Sequence, residues 1–289
     1  MERPVILTAD STCDLSKELA GRYNVTLMPV HITYGETCYN DGEDIHSDDL
    51  FKRFNESGEL PKTAAVNTAE YIDFFRKLLE RGYDVLHIGL GSAISSCYAN
   101  AVIAKESLEP KDTGRIFLVN SRNLSTGSGL LVIEAAERIA AGMPIEQAAR
   151  EVSALSENVR ASFVLENLRF MAVGGRCSGI AAFGANLLSL KVSIRVDHAS
   201  GSMAVDKKYR GKMDKVLPQY VDDMLSEQEN IDTKRVFITH SGVDDNIINQ
   251  VRQSIESLVH FDEILVTRAG CTISSHCGPG TLGVLFMTI

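Results

Sequence analysis

The stretch Asp84–Lys105, DVLHIGLGSAISSCYANAVIAK, decides how the chain reads. Val85-Leu86-His87-Ile88 is an apolar run of strand length, and it breaks at Gly89-Leu90-Gly91. Ile94, Tyr98, Ala101, Val102 and Lys105 then follow at helical spacing. Strand, glycine turn and helix make the first half of a crossover unit. Ser92 stands where an N-cap would stand. A helix start carries unpaired N–H groups and a partial positive charge, so it favours an anion. Hydroxyls at Ser92, Ser95 and Ser96 suit a carboxylate or phosphate there; equally, Ser92 simply caps its helix.

The same alternation extends through the first half of the chain. Pro4 to Thr8 reads as a first strand and Val25 to Thr33 as a second, with a helix ending near Arg22 between them. Asp41-Gly42 is a turn, and Ser47 caps a helix to about Glu56. Asn67 with Glu70 makes a capping-box start for a helix to about Arg81. Arg115 to Asn120 is a further strand, followed by helices from about Ser125 to Ala141 and from Pro144 to Asn158. Repeated alternation predicts a parallel or mostly parallel sheet with helices on both faces. Ligands of such sheets lie beyond the carboxyl ends of the strands. Asp10-Ser11-Thr12, Gly91-Ser92 and Asn120-Ser121 are the polar strand ends there, and Thr63 lies on a loop that reaches the same edge.

The second half reads differently. Lys191–Asp197 and Met203–Tyr209 flank a five-residue turn and form a hairpin. Helices over 211–227 and 244–258 and strands over 235–239 and 263–267 follow. SSHCGPGTLGVLFMTI reads as a polar glycine-rich loop feeding a last strand. The expectation is a mixed sheet with helices on one side. The boundary falls near residue 158, giving an α/β domain over 1–158 and a second over 159–289.

Length supports two domains, since 289 residues exceed most single cores. Hydrophobic residues are 44% and charged residues 23%, as in an ordinary globular protein. Net charge is 29 minus 38, or −9, which argues against nucleic acid as a partner. No secretory pattern opens the chain and no apolar run approaches membrane-spanning length, so the expected location is the cytoplasm. The six cysteines lack C-x-x-C spacing and are expected to be reduced. The histidines are scattered, and although Asp10, Asp14 and Asp44 could bind a metal, a first-strand aspartate is more often a turn and cap residue, so no metal or cofactor is expected. Walker A, nucleophile-elbow and full G-x-G-x-x-G motifs are absent. His276-Cys277 suggests a thiol nucleophile, but adjacent residues on an extended loop point apart, and no orienting acid is evident.

Several pieces, in order over the whole chain, resemble the DegV family of fatty-acid-binding proteins. TADSTCDLS resembles D-S-T-x-D-L, and LPKTAAVNTAEY resembles a P-K-T-S-Q-P segment. HIGLGSAISSCYANA resembles S-S-x-L-S-G-T-Y, and VNSRNLSTGSGLLV resembles V-I-D-S-x-x-x-x-G-x-G-L-L. MAVGGRCSGIAAFGANLLSLKVSIRV resembles the G-G-R segment and its following helix. SSHCGPGTLGV resembles T-H-x-G-P-G-x-L-G. Ala64-Ala65-Val66 in place of S-Q-P, Gly91 in place of the first serine and Ser96-Cys97 in place of G-T are departures.

The resemblance implies a Rossmann-like N-terminal sheet, a C-terminal mixed-sheet α/β domain, and a long-chain fatty acid between them. It implies a non-catalytic lipid-binding subunit that presents the carboxylate to an ATP-dependent fatty acid kinase subunit, which converts it to an acyl phosphate. Thr63 and Ser92 would hydrogen-bond the carboxylate with Ser95 nearby, and Arg176 and His276 would stand beside it. Such a role is compatible with transient membrane contact. The segment Ile180–Leu190, rich in Ala and Gly, either leaves room for the chain or packs tightly. Burying one methylene is worth roughly 0.8 kcal/mol, so ~15 of them offer about 12 kcal/mol before binding costs. A hydroxyl bond to a carboxylate gives only about 1.5–3 kcal/mol. The tail would therefore set affinity and the head contacts orientation. The carboxylate is already ionised near neutral pH, so transfer to it requires positioning rather than a base. The alternatives are a small-molecule transferase or hydrolase using the strand-end cleft, and a lipid-responsive sensor.

Overall fold

A computed structural model describes residues 3–180 and 190–289. The first half runs β1 (Val5–Asp10), α1 (Lys17–Arg22), β2 (Val25–Met28), β3 (His31–Tyr34), β4 (Thr37–Asn40), α2 (Ser47–Ser57), β5 (Lys62–Ala64), α3 (Thr68–Glu80), β6 (Asp84–Gly89), α4 (Cys97–Glu106), α5 (Pro110–Thr113), β7 (Ile116–Asn120), α6 (Ser125–Ala140) and α7 (Ile145–Leu155). The second runs β8 (Val159–Leu165), α8 (Leu168–Gly174), β9 (Cys177–Ser178), β10 (Leu190–Val196), β11 (Met203–Arg210), α9 (Met213–Ser226), β12 (Ile231–Ser241), α10 (Asp245–Leu258), β13 (Glu263–Arg268), α11 (Cys271–Cys277) and β14 (Thr281–Thr288).

β2-β1-β6-β7 form a parallel sheet. Val85 to Gly89 are all buried, so both faces of β6 are covered, as in crossover sheets. Helix pairs α3–α4 and α6–α7 supply the cover. The Asn67 box is present as expected: its side chain accepts from Glu70 N at 3.0 Å, and Glu70 returns a carboxylate to Asn67 N at 2.9 Å. The expected single strand over 25–33 is two. Pro29 cannot donate to a ladder, and the chain turns there out of the parallel sheet. It enters a separate antiparallel sheet, β4-β3-β5, which the sequence reading does not contain.

The second half builds one mixed sheet, β13-β12-β14-β8-β10-β11-β9, with the anticipated hairpin as β10–β11. Along β14 and β8 the side chains alternate between two apolar clusters. Leu282, Val284, Phe286 and Val164 meet α9 and α10, while Leu285, Met287, Ala161 and Phe163 join the cluster containing α6 and the parallel sheet. Cover on one side only is therefore corrected: α6 fills the other face. Ser125 to Ala136 of α6 are all buried, because this helix lies between the two sheets and touches β1, β6, β8, β12 and β14.

The glycine-rich loop before the last strand is also corrected. Residues 271–277 form α11, because Asp41 caps it from far along the chain. Cys271 N donates to Asp41 Oδ1 at 2.7 Å and Thr272 N donates to Asp41 Oδ2 at 2.8 Å. Most of the segment Ile180–Leu190, read above for its small residues, lies outside the described residues. Among the described residues no helix is long and apolar enough to cross a membrane.

Candidate functional site

Where the parallel sheet, the small sheet and the mixed sheet converge, the described residues bound a cavity of about 180 Å³. A water-sized group needs about 10–15 Å³ by this measure, so the cavity holds on the order of a dozen of them. Its wall is mostly apolar, with Val30, Leu90, Leu124, Phe163, Met171 and Ile273, and it carries Thr63, Ser95, Ser96, Thr272, Arg176 and His276 as polar points.

Thr63 comes from β5, where it pairs with Ile32, and His276 comes from α11. Their side chains meet, with Thr63 Oγ1 2.9 Å from His276 Nε2. His276 Nδ1 is buried without a hydrogen-bond partner among the described residues. A proton there would leave an unpaired buried N–H, which is costly. The proton therefore belongs on Nε2, where it donates to Thr63 Oγ1. That leaves the Thr63 hydroxyl proton free to donate into the cavity. Burial, and then the nearby Arg176 charge, lower the His276 pKa to about 4, so the ring is neutral at pH 7.

Gly174 explains the fit of the ring. A Cβ built on Gly174 would lie 2.2 Å from His276 Nδ1. The imidazole occupies the space that any other side chain would need. Arg176 follows after the left-handed turn at Gly175, whose φ is +67°. It is exposed, donates to Gly174 O at 2.5 Å and borders the cavity.

Ser95 lines the cavity, and its Oγ accepts from Cys97 N at 3.2 Å. Ser92 does not cap a helix: α4 begins at Cys97, with Ser96 in the cap position, and residues 92–94 form a turn. The glycine break is followed by a loop longer than helical spacing suggests, because Gly91 N is held by Asn123 O at 2.9 Å. Ser92 Oγ accepts from Asn120 Nδ2 at 2.7 Å, which leaves its own proton free. It is exposed and is not among the cavity's wall residues. The structure thus brings Thr63, Ser95, Arg176 and His276 to one cavity, with Ser92 on the adjoining turn. Thr272, Phe163, Met171 and Met203 also line it. Phe163, Met171 and Met203 come from remote elements whose apolar spacing marks them only as core.

The thiols beside the site are held protonated. Burial and then the Asp10 charge push Cys97 up to about 11, and burial pushes Cys277 up further. A thiol buried in this way is a poor nucleophile. Among the described residues no cluster suited to a metal ion occurs.

A second carboxylate secures the same, N-terminal end of α11. Asp14 Oδ1 accepts from Gly270 N at 2.9 Å and Oδ2 accepts from Ser125 Oγ at 2.5 Å. Burial is the main cause that raises its pKa from 3.8 to about 8, with the Asp41 charge adding to it. Between those values the unfolded chain has lost the proton that the folded chain keeps. This group's contribution to stability therefore falls as pH rises through that window. Asp14→Asn, which cannot titrate, should flatten the decline in denaturation midpoint from pH 4 to 8. Parallel pH profiles for the two proteins would contradict this.

Comparisons with known proteins agree with one another. The family model described as "Uncharacterised protein, DegV family" matches residues 5–288. A DegV domain-containing protein of Clostridium perfringens is 30% identical over 289 residues, covering 99% of each chain. A solved DegV family protein from Thermus thermophilus, described by its fatty acid binding, is 27% identical with a TM-score of 0.88 over 100% of each chain. A stearic-acid-binding protein from Eubacterium ventriosum is 26% identical with a TM-score of 0.85 over 98% of each chain.

Proposed function

The chain belongs to the DegV family, and from that premise we propose that it binds a long-chain fatty acid in the cavity with the carboxylate at Thr63. The observation that carries this reading is the Thr63 hydroxyl, 2.9 Å from the neutral ring of His276, on the wall of a mostly apolar cavity of about 180 Å³. Solved relatives that bind fatty acids on the same fold support it. Ser95 and the adjoining Ser92 add hydroxyls, and Arg176 adds the positive charge an exposed anion needs.

We propose further that the chain is a carrier, not a catalyst on its own, and that it presents the carboxylate to an ATP-dependent kinase subunit. Phosphoryl transfer to a carboxylate needs position and charge neutralisation, which hydroxyls and Arg176 supply. Acyl phosphate, trapped as its hydroxamate, should form from palmitate, ATP and such a subunit only when this protein is present. Equal formation without it would contradict the carrier role.

The head-group assignment has its own test. Thr63→Val keeps the shape and removes the donor. Palmitate affinity, read by displacement of a fluorescent fatty acid, should fall roughly tenfold or more, the worth of one hydrogen bond to a charged group. Methyl palmitate, which lacks the charge, should change little. An equal loss for acid and ester would remove Thr63 from the head-group site.

A further inference from the structure

Leu90, Gly91 and Ser92 carry three successive backbone N–H groups on the turn after β6, and each is taken by an acceptor from β1, β7 or the loop after β7. Leu90 N donates to Asp10 Oδ2 at 2.7 Å, Gly91 N to Asn123 O at 2.9 Å, and Ser92 N to Asn120 Oδ1 at 3.2 Å. Asp10 ends β1 and Asn120 ends β7. An incoming anion therefore finds these three N–H groups already occupied, unlike those of a phosphate-binding turn. What the turn offers is side-chain hydroxyls, and their use depends on where their protons point.

Asn120 decides that for Ser92. The two ends of a side-chain amide are told apart by their partners. One end of Asn120 faces two backbone N–H groups, Ser92 N at 3.2 Å and Arg122 N at 3.0 Å. An amide nitrogen there would set donor against donor twice, so this end is the oxygen. The other end is then Nδ2, which lies 2.7 Å from Ser92 Oγ. Nδ2 only donates, so Ser92 Oγ accepts from it and the Ser92 proton is directed away from Asn120.

The same arrangement recurs at two hydroxyls on the cavity wall. Thr63 Oγ1 lies 2.9 Å from Nε2 of the neutral His276 ring, and Ser95 Oγ accepts from Cys97 N at 3.2 Å. Each of the three hydroxyls receives an internal hydrogen bond and keeps a proton to give. A carboxylate in the place of the Asn120 amide would reverse the role of Ser92. It only accepts, so it would draw the Ser92 proton to itself and leave a lone pair facing outward.

We propose that Asn120 is a positioning residue of the head-group site. Through Ser92 it supplies a proton donor to the ligand, and it thereby favours an anionic head over one that carries N–H groups. This inference rests on the fatty-acid reading and adds to it the residue that sets the role of Ser92.

Asn120→Asp tests it, because the change keeps the size of the side chain and the acceptor for both backbone N–H groups and removes only the donor. Ser92→Ala is made in wild type and in Asn120→Asp, and affinities for palmitate and palmitamide are read by displacement of a fluorescent fatty acid. In wild type, Ser92→Ala should lower palmitate affinity roughly tenfold, the worth of one hydrogen bond to a charged group. In Asn120→Asp the same change should cost less than about twofold, because the donor is already lost. The preference for palmitate over palmitamide should fall roughly tenfold in Asn120→Asp. Repulsion by the new acid alone would also weaken palmitate, but it would fade with added salt and leave the cost of Ser92→Ala undiminished. That result overturns the positioning role. If Asn120→Asp does not fold, Asn120→Ala takes its place, and an undiminished cost of Ser92→Ala there overturns the proposal equally. Wild type that binds palmitate but is indifferent to Ser92→Ala overturns it while leaving fatty-acid binding intact. Wild type that binds no fatty acid overturns both.

Discussion

Gly174→Ala should cost fatty-acid affinity roughly tenfold to a hundredfold, the worth of one charge-assisted hydrogen bond. Gly174 is the last residue of α8, where alanine is by intrinsic preference the better helix former by about 1 kcal/mol. Were nothing packed against it, the change would stabilise the protein. Instead the new methyl would fall 2.2 Å from His276 Nδ1. Neither atom can stay, so the imidazole must swing away from Thr63 or α8 must shift. In the first case Thr63 loses the donor that fixes its hydroxyl and the head-group site loses its orientation. Overpacking of this kind also lowers stability by about 1–3 kcal/mol. Titration with palmitate and chemical denaturation separate the two effects. Alanine that stabilises the protein and leaves palmitate affinity unchanged would show that the ring is not seated on Gly174.

Asp41→Ala should be the most destabilising single change near the site. The carboxylate is buried and satisfies the first two N–H groups of α11 at 2.7 and 2.8 Å. Hydrogen bonds to a charged acceptor are worth about 1.5–3 kcal/mol each, so the loss should reach about 3 kcal/mol or more. Asp41→Asn keeps one acceptor and should lose about half of that. Because α11 presents Thr272, Ile273, His276 and Cys277 to the cavity, the alanine variant should also lose ligand affinity. A change in denaturation midpoint no larger than that of an exposed acid such as Asp48→Ala would contradict the capping role.

These two residues also mark where the sequence stops being legible. The alternation around Asp84–Lys105, the Asn67–Glu70 box and the β10–β11 hairpin depend on neighbours within a few residues, and each appears in the structure. The helix α11 does not: its cap comes from Asp41, 230 residues away from Cys271, and locally SSHCGPG reads as a loop. The β4-β3-β5 sheet escaped for a similar reason, since short strands cut by Pro29 carry little periodicity. Thr63 and His276 lie 213 residues apart, and in the sequence only the family resemblance links them to one site. A serine after a glycine break reads as a cap at Ser92, yet the helix begins at Cys97. Phe163, Met171 and Met203 are apolar residues on alternating elements, so the same pattern that marks them as core hides them as cavity wall.

In the proposed complex the apolar cavity ending at Thr63 and His276 would hold a fatty acid by its tail and fix its carboxylate. Denaturing mass spectrometry of the purified protein addresses it directly. A long-chain monocarboxylic acid should be released at about one per chain, and should be lost from Thr63→Val after washing with competing lipid vesicles. Release of no lipid, or of a soluble polar metabolite in its place, would contradict it.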